Sequence, residues 1–416
     1  MTTFDSKEIE SKIIAAKIFL KNQSSDFKEN FHYIENYIKE EVRLIEDNTK
    51  KNKSIIPEIE FDSIKNKNIT SDTISNIKKR GCVIIRNVFK KKIVDQWNID
   101  LEEYIDQNNY YEDQKKNTNI DQYFSDLQSG KPQIFGLYWS KPQIEIRQSK
   151  SMSVVKSWLN NLWQFEFDKN RIFDPDRELV YADRVRRREA GDATLGLSPH
   201  CDAGSVERWI DVSYQKVYAS VFNGNFNAYD PFSAQFRDQT SEIESAAVSH
   251  VFRTFQGWTA LTKQGPSDGT LKLIPIAKAM GYILTRALLD DVPPQELCGS
   301  LPARALSVNL EYHSLLLRAL ISIPIVNPGD TVWWHPDVVH AVEDKHDGDN
   351  YSNVVYVGST PYCEKNMKYI KNNHDLLKFA QWCDKTIGMG FHWDTNFNEY
   401  IWNKSFSIFS CKTYLN

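Results

Sequence analysis

The 416-residue chain has few cysteines for its length and no close cysteine pair. Its six cysteines are scattered and no Cys-x-x-Cys motif occurs, so neither a disulfide framework nor a zinc cluster is indicated. No segment is long and apolar enough for a membrane span, and the start of the chain lacks the basic and apolar regions of a secretory signal. We therefore expect a cytoplasmic protein, with the nucleus not excluded.

An excess of charge of either sign is also missing. Lys and Arg total 51 against 55 Asp and Glu, a formal net charge of −4. This balance argues against a basic nucleic-acid-binding protein and gives no strong attraction to anionic membranes. Hydrophobic residues make up 41% and charged residues 25%, values typical of a globular protein with a sizeable core. A small-molecule substrate is the expected partner, with neither nucleic acid nor a membrane, and the sequence makes no prediction of oligomeric state.

The sequence pattern divides the chain into three parts. Residues 1–75 are predicted to form an N-terminal helical arm and linker, because apolar residues between positions 7 and 46 recur at a spacing closer to helical than to alternating. Residues 76–370 are the predicted main domain, and residues 371–416 a closing helix and tail packed on the core.

The most informative motif is His200-Cys201-Asp202, together with His340 far downstream. On an extended strand, residues at i and i+2 point to the same side, so His200 and Asp202 can share one ion while Cys201 faces away. A turn at residues 327–330 then begins the apolar strand that leads to His340. Two imidazoles and one carboxylate suit Fe(II) and leave positions open for chemistry.

Four flanking segments carry a resemblance to a known superfamily. They are GCVIIRNV (residues 81–88), SPHCDAGSVERW (198–209), GTLKLIP (269–275) and TPYCEKN (360–366). With the His-x-Asp pair and the distal His, the chain resembles the iron(II)/2-oxoglutarate-dependent dioxygenases of the phytanoyl-CoA-hydroxylase-like type over roughly residues 80 to 370. More narrowly, it resembles a fungal and bacterial branch that includes N-acetylglucosamine-induced fungal proteins.

The resemblance implies a fold and a reaction. The expected fold is β-rich α+β, with a double-stranded β-helix (jelly roll, cupin-like) core, flanking helices and a large insertion at about residues 205–300 that covers the site. His200, Asp202 and His340 would be the catalytic metal ligands. Fe(II), the cosubstrate 2-oxoglutarate and O₂ would then oxidise, and by preference hydroxylate, a small polar metabolite.

One departure from the superfamily concerns the cosubstrate. Its members usually provide an Arg ten to fourteen positions after the distal His, and this chain has none there. Guanidinium groups suit a bidentate grip on a carboxylate. Arg186 is therefore the first candidate for that role, with the other candidates Arg184, Arg188, Ser352 and Asn353. A strand of four arginines is also what a solvated sheet edge would show.

Four more residues are candidates for substrate contacts. Arg208 and Trp209 follow the metal motif closely, and Gln143 and Arg147 are predicted near the mouth of the site. A surface ion pair with Glu207 would explain Arg208, and an exposed position on a helix or strand would explain Gln143 and Arg147, about as well. His335, five positions before His340, is predicted to support the site rather than to bind metal.

Two alternative functions remain open at this stage. The missing distal Arg favours a non-catalytic metabolite-binding protein on the same fold, whereas the complete His-Asp-His set opposes it. A cupin-like metalloenzyme that does not use 2-oxoglutarate is the second alternative, because ligand geometry alone does not define the metal.

Overall fold

Apolar residues at helical spacing build two N-terminal helices, α1 (Ser6–Lys21) and α2 (Phe27–Lys50). Asp26 begins α2, since its side chain accepts a hydrogen bond from the Glu29 amide. The buried face of α2 carries Ile34, Ile38, Val42 and Ile45. The stretch with helical spacing thus forms these two helices.

The computed structural model describes residues 6–107, 134–135, 137, 140–181, 183–191, 197–243 and 250–369. The predicted closing helix and tail, residues 371–416, lie outside the described residues. The further helices are α3 (Phe61–Lys65), α4 (Ser71–Arg80), α5 (Lys91–Gln107), α6 (Lys141–Gln148), α7 (Lys150–Asn160), α8 (Glu207–Ile210), α9 (Val212–Val217), α10 (Ala219–Phe222), α11 (Ala279–Arg286) and α12 (Leu310–Leu317). Among the described residues, none of these helices is long and apolar enough to cross a membrane.

Short strands make up the rest of the regular structure, so the fold is mixed α+β, as expected. The strands are β1 (Glu58–Glu60), β2 (Cys82–Arg86), β3 (Ile134–Phe135), β4 (Glu166–Phe167), β5 (Asn170–Arg171), β6 (Asp174–Glu178), β7 (Val185–Arg188), β8 (His200–Cys201), β9 (Gln256–Ala260), β10 (Leu271–Leu273), β11 (Leu306–Ser307), β12 (Ile321–Ser322), β13 (Thr331–Trp334), β14 (His340–Val342), β15 (Ser352–Tyr356) and β16 (Pro361–Tyr362).

Two larger sheets dominate the architecture. Seven strands form one sheet in the order β1-β2-β13-β9-β15-β7-β3, and five form the other in the order β11-β8-β14-β10-β12. Apart from the parallel β1–β2 pair, the pairings within these sheets are antiparallel. The strand pairs β4–β5 and β6–β16 form two small separate sheets.

An apolar core lies between the two larger sheets. It joins Trp258, Val332 and Val354 of the seven-stranded sheet to Leu271 and Leu273 of the five-stranded sheet. The outer faces are covered by helices. Residues of α5 and α7 pack against the seven-stranded sheet, and residues of α1, α2 and α11 share a core with the five-stranded sheet. Side chains of the inner faces therefore share one enclosed interior.

The predicted insertion at about residues 205–300 needs a correction. Two stretches within it are sheet strands: β9 lies between β13 and β15, and β10 lies between β14 and β12. All five residues of β9 are buried, so its sequence lacks the alternation that marks a half-exposed strand. The remainder of the interval holds helices α8 to α11 and irregular segments.

Candidate metal centre

His200, Asp202 and His340 come together on the inner side of the five-stranded sheet. His200 and His340 are direct partners across the β8–β14 pairing, and Asp202 follows β8 by one residue. One ligand atom from each residue can be chosen so that all three lie within 4.8 Å of one another. The two imidazole rings have their centroids 4.2 Å apart. The sequence-predicted triplet is thus a single cluster in space.

The hydrogen bonds of both imidazoles aim the same nitrogen at the carboxylate. Nδ1 of His200 lies 2.6 Å from the Ser198 carbonyl, and Nδ1 of His340 lies 3.4 Å from the Val338 carbonyl. The Nε2 atoms lie 3.2 Å and 3.6 Å from the two Asp202 oxygens. A backbone acceptor at Nδ1 favours the tautomer whose Nε2 lone pair is available to a metal.

The electrostatics of the cluster favour an ionised carboxylate beside at least one neutral imidazole. Burial raises the pKa of the Asp202 carboxyl, but the His340 and His200 contacts lower it more, and the net pKa lies well below its ordinary value. Burial and the charge of His200 lower the pKa of His340. An ionised Asp202 and a neutral His340 are the protonation states in which these groups bind metals, whereas burial lowers the pKa of His200 but its contacts with Asp202 raise it more.

The wall facing the cluster was not foreseen from the sequence. Gln256 on β9 and Trp334 on β13 are cross-strand partners, and the Gln256 amide donates a hydrogen bond to Asp202 Oδ2. The Trp334 ring lies 5.2 Å from that of His340. Gln256 Oε1 and Trp334 Nε1 are buried without a hydrogen-bond partner in the described part of the chain. An acceptor and a donor are therefore left for a bound group.

Two of the candidate arginines, Arg186 and Arg188, share one face of β7, as strand alternation predicts. Arg186 is opposite Val354 and Arg188 is opposite Ser352, and both arginines are buried. Arg186 Nη2 donates to the Gly269 carbonyl at 2.7 Å. Arg188 donates to the carbonyls of Glu343 and Asp344, which follow β14.

Arg184, a further candidate, precedes β7. Its carbonyl accepts a hydrogen bond from the amide of Tyr356, the last residue of β15. Tyr356 faces the same interior and was also not foreseen. Burial raises its pKa to about 12, and the nearby charges are Arg186, Asp183, Asp202 and Arg184. The phenol is therefore a neutral donor that interacts electrostatically with both Asp202 and Arg186.

The other two cosubstrate candidates are held elsewhere. Ser352 donates to the Asp268 carbonyl at 2.6 Å, which ties β15 to the segment before β10. The Asn353 amide donates to Asn98 of α5 at 2.8 Å, so this side chain faces the helical layer and not the interior between the sheets.

The structure places Arg208 and Trp209 inside the helical layer. Trp209 is fully buried, and its indole donates to the Leu284 carbonyl at 3.0 Å. Arg208 is fully buried and donates to Asp337 Oδ1 at 2.7 Å. Both side chains therefore have structural partners that the sequence pattern did not indicate.

Gln143 and Arg147 are buried in α6 and hold the backbone that leads into β7. Gln143 donates to the carbonyls of Leu137 and Asp183, at 2.7 and 2.9 Å. Arg147 donates to the Asp183 carbonyl at 3.2 Å and contacts that of Tyr181 at 3.5 Å. Both side chains therefore hold the backbone around Tyr181 and Asp183 through its carbonyl groups.

Known proteins are similar to this chain over most of its length. A profile of the Gig2-like family matches residues 7–383. The chain belongs to the Gig2-like family. Uncharacterized protein YbiU of Escherichia coli K12 is 40% identical over 352 residues, which cover 84% of this chain and 83% of that protein.

Two solved structures extend this comparison. The structure of a proposed oxidoreductase from Salmonella typhimurium LT2 is 40% identical, with a TM-score of 0.82 and 87% of each chain covered. GlcNAc Inducible Gene 2 from Candida albicans is 27% identical, with a TM-score of 0.70 and 89% of this chain and 79% of that chain covered. The expected resemblance to N-acetylglucosamine-induced fungal proteins is thus confirmed.

In this Gig2-like chain a buried ionic cluster adjoins the candidate metal ligands. Asp337, between β13 and β14, accepts hydrogen bonds from Arg208, from Arg237 Nη2 at 2.8 Å and from Tyr218 at 3.0 Å. The Cys201 thiol contacts the Asp337 carbonyl at 3.7 Å. The middle residue of the His-x-Asp motif therefore faces this cluster, as expected from its position in the strand.

His335 belongs to the same buried cluster and not to the metal centre. Its Nε2 lies 2.9 Å from the Pro231 carbonyl, and its Nδ1 accepts a hydrogen bond from the Asp337 amide at 3.0 Å. Its ring stacks on Trp163 with centroids 4.7 Å apart. Burial lowers the pKa of His335 to about 3, so the imidazole is neutral.

Proposed function

We propose that this chain is a mononuclear non-haem iron oxygenase that uses 2-oxoglutarate and O₂ to oxidise a small polar metabolite, with hydroxylation as the preferred outcome. The observation that carries the proposal is the convergence of His200, Asp202 and His340 within 4.8 Å. Two imidazoles and one carboxylate on one side of an ion suit Fe(II) and leave the other side open. The Salmonella relative, itself described as a proposed oxidoreductase, agrees with this function.

The strand order supports a jelly-roll core. The larger sheet contains the run β7-β15-β9-β13, and the smaller one contains β8-β14-β10-β12. Along the chain, the strands alternate between the sheets, except that β10 and β12 are antiparallel neighbours in the smaller sheet. Eight strands wound in this way form a double-stranded β-helix. The metal ligands then lie at one end of the interior, where a substrate can enter.

The residues around the triplet fit a bound metal and cosubstrate. When bound, iron and 2-oxoglutarate supply the oxidising chemistry, in which decarboxylation of the oxoacid to succinate and CO₂ accompanies transfer of one oxygen atom to a substrate C–H bond. His200, His340 and Asp202 would hold the metal. Gln256 holds the Asp202 carboxylate in place, and the unpartnered Trp334 indole N–H is a donor for an oxygen of the cosubstrate.

Arg186 is the proposed cation for the far carboxylate of 2-oxoglutarate. It lies on the inner face of β7, is only 4% exposed, and interacts electrostatically with Tyr356, which also interacts with Asp202. Arg188 already supports the loop after β14, and Asn353 faces α5. The strand next to β15 thus offers a guanidinium that β15 itself lacks. Tyr356, which interacts with both Arg186 and Asp202, would be placed to donate a hydrogen bond to the cosubstrate.

Anaerobic titration with Fe(II) and then 2-oxoglutarate tests this function, with the weak visible charge-transfer band as the signal. The band is expected in the parent protein, lost in His200→Ala and weakened in Arg186→Gln. The exposed residues His32 and Arg43 offer matched controls, His32→Ala and Arg43→Gln, which should leave the band unchanged. Iron binding without a band would refute the use of 2-oxoglutarate. Absence of iron binding would refute the proposal that the chain is an iron oxygenase.

A further inference from the structure

Arg253 lies beside the metal centre and has no role in the function proposed above. It precedes β9 by three positions, and the first residue of β9 is Gln256, which donates to Asp202. The Arg253 side chain is partly buried. It interacts electrostatically with Asp202, Asp183 and Tyr181. A cation therefore lies at the end of the sheet where the metal ligands meet.

One edge of the Arg253 guanidinium is left without partners. Nη1 donates to the Tyr181 hydroxyl at 3.3 Å. Nε is buried without a hydrogen-bond partner, and within the described ranges Arg253 has no ion pair and no hydrogen bond from Nη2. Nε and Nη2 lie on the same edge of a guanidinium, and this edge donates two parallel hydrogen bonds to a carboxylate or phosphate.

The geometry around Arg253 is prepared before any ligand binds. The Tyr181 hydroxyl donates to Asp183 Oδ2 at 3.1 Å, so the phenol connects the guanidinium to a carboxylate behind it. Tyr181 packs closely on Gly358, where an added Cβ would lie 2.5 Å from the phenol oxygen. Arg147 holds the Asp183 carbonyl from the opposite side. A group supported in this way is positioned to bind with little loss of side-chain entropy.

Charge also favours an anionic ligand. Burial lowers the pKa of Arg253, but Tyr181, Asp202 and Asp183 raise it more, so the guanidinium is charged at every pH at which the protein folds. Asp202 would share its negative charge with a bound metal cation. The remaining carboxylate, Asp183, reaches the guanidinium only through the Tyr181 hydroxyl, and a partly buried cation is costly unless it is paired directly.

We propose that the Nε and Nη2 edge of Arg253 binds an acidic group, a carboxylate or a phosphate, of the primary substrate. The assignment to a substrate rests on the proposed oxygenase function, whereas the anion site itself does not. Arg186 and Arg253 then serve two different acids. Arg186 lies within the interior on β7 and is assigned to the cosubstrate, and Arg253 lies before β9 at the end where the substrate would enter.

Ligand-observed NMR with small probes tests this site. Benzoate and phenyl phosphate carry the acidic group, and benzamide is the uncharged match for benzoate. Each probe is titrated into the full chain, with and without Zn(II) and saturating 2-oxoglutarate, for the parent, Arg253→Gln and Arg253→Lys. Arg171→Gln is the control for loss of an exposed arginine. Thermal unfolding of each variant checks that it folds. If Arg253→Gln does not fold, binding to Arg253→Lys is compared with binding to the parent instead.

The expected result is binding of at least one acidic probe that is about tenfold to a hundredfold weaker in Arg253→Gln, the range for two charge-assisted hydrogen bonds. Arg253→Lys should be intermediate, because an ammonium keeps the charge without the paired donors. Benzamide should bind weakly to the parent and to Arg253→Gln alike. Tyr181→Phe removes the hydroxyl that orients Arg253 but keeps the guanidinium, so acidic probes should bind to this variant a few-fold less tightly than to the parent.

Three outcomes would overturn the assignment. They are equal binding of acidic probes to the parent and Arg253→Gln, no binding of any acidic probe at millimolar concentration, and a loss of 2-oxoglutarate affinity in Arg253→Gln that matches the loss for the probes. The last would make Arg253 the cosubstrate cation. If the iron and 2-oxoglutarate band is missing while acidic probes still depend on Arg253, the oxygenase function fails and the anion site stands.

Discussion

The buried charge of Asp337 offers a direct test of how the fold behind the metal centre is stabilised. Asp337 is 1% exposed by its side chain, Arg208 0% and Arg237 7%, so solvent contributes little to the interaction. His335 is neutral because burial lowers its pKa to about 3. The cluster thus contains two positive charges and one negative charge. In Asp337→Asn, both guanidiniums would remain buried without a counter-charge.

Removal of one partner from a buried ion pair costs about 3–5 kcal/mol, because the remaining charge stays desolvated. Two cations depend on Asp337, so the upper part of this range is expected. Since the whole free energy of unfolding is typically about 5–15 kcal/mol, Asp337→Asn should lower the urea midpoint strongly. Equilibrium unfolding in urea at neutral pH, followed by circular dichroism and tryptophan fluorescence, measures the difference.

A matched control is available at the surface. Glu166 pairs with Arg171 at 2.8 Å, but both side chains are more than half exposed, so Glu166→Gln should cause no measurable change. A loss smaller than about 1 kcal/mol in Asp337→Asn would refute the reasoning, because it would mean that the two guanidiniums remain hydrated in the folded protein.

Two further predictions concern pH and backbone strain. Burial raises the pKa of Glu242, but His250, Lys365 and Tyr214 lower it to about 2, below the unfolded value of about 4.3. Its stabilisation, on the order of 3 kcal/mol, is therefore complete above about pH 4.3 and is lost as the pH falls toward 2. In urea unfolding, Glu242→Gln should be less stable than the parent at pH 7, and the difference should shrink by pH 3; a constant difference would contradict this. Gly269 has φ +63°, and an added Cβ would lie 2.6 Å from Arg188 Nη1. Gly269→Ala should therefore lose more stability than Gly191→Ala. Gly191 has φ +72°, but among the described residues no atom lies within 4 Å of its added Cβ, and equal losses would show that the Arg188 contact costs nothing.

Local periodicity in the sequence was sufficient to predict features that depend only on residues close together in the chain. The helical spacing in the N-terminal arm, the shared face of Arg186 and Arg188, and the opposite orientation of Cys201 all follow from the repeats of a helix and a strand. Strand β9 lacked such a signal because both of its faces are buried. It was therefore included in the predicted insertion.

Contacts between distant parts of the chain explain the residues whose roles were not predicted. Arg208 pairs with Asp337, 129 positions away, and this partner makes it a buried structural residue. Gln256 reaches Asp202 from a different sheet, and Arg253 contacts Tyr181 at 72 positions' separation. None of these pairs has a fixed spacing in sequence, so no local pattern could indicate them.

The sequence by itself indicated the family, the helical spacing of the N-terminal arm and the three residues of the His-Asp-His cluster, because each depends on residue types at short spacing or on a recognisable motif. Only the tertiary structure decided which charged residues are compensated and which remain available. Arg208 and Arg188 are held by partners from distant segments, whereas Arg253 keeps one edge of its guanidinium unpaired. The physical reason is that the energy of a charge depends on what surrounds it in space, and that is set by the packing of the sheets and helices.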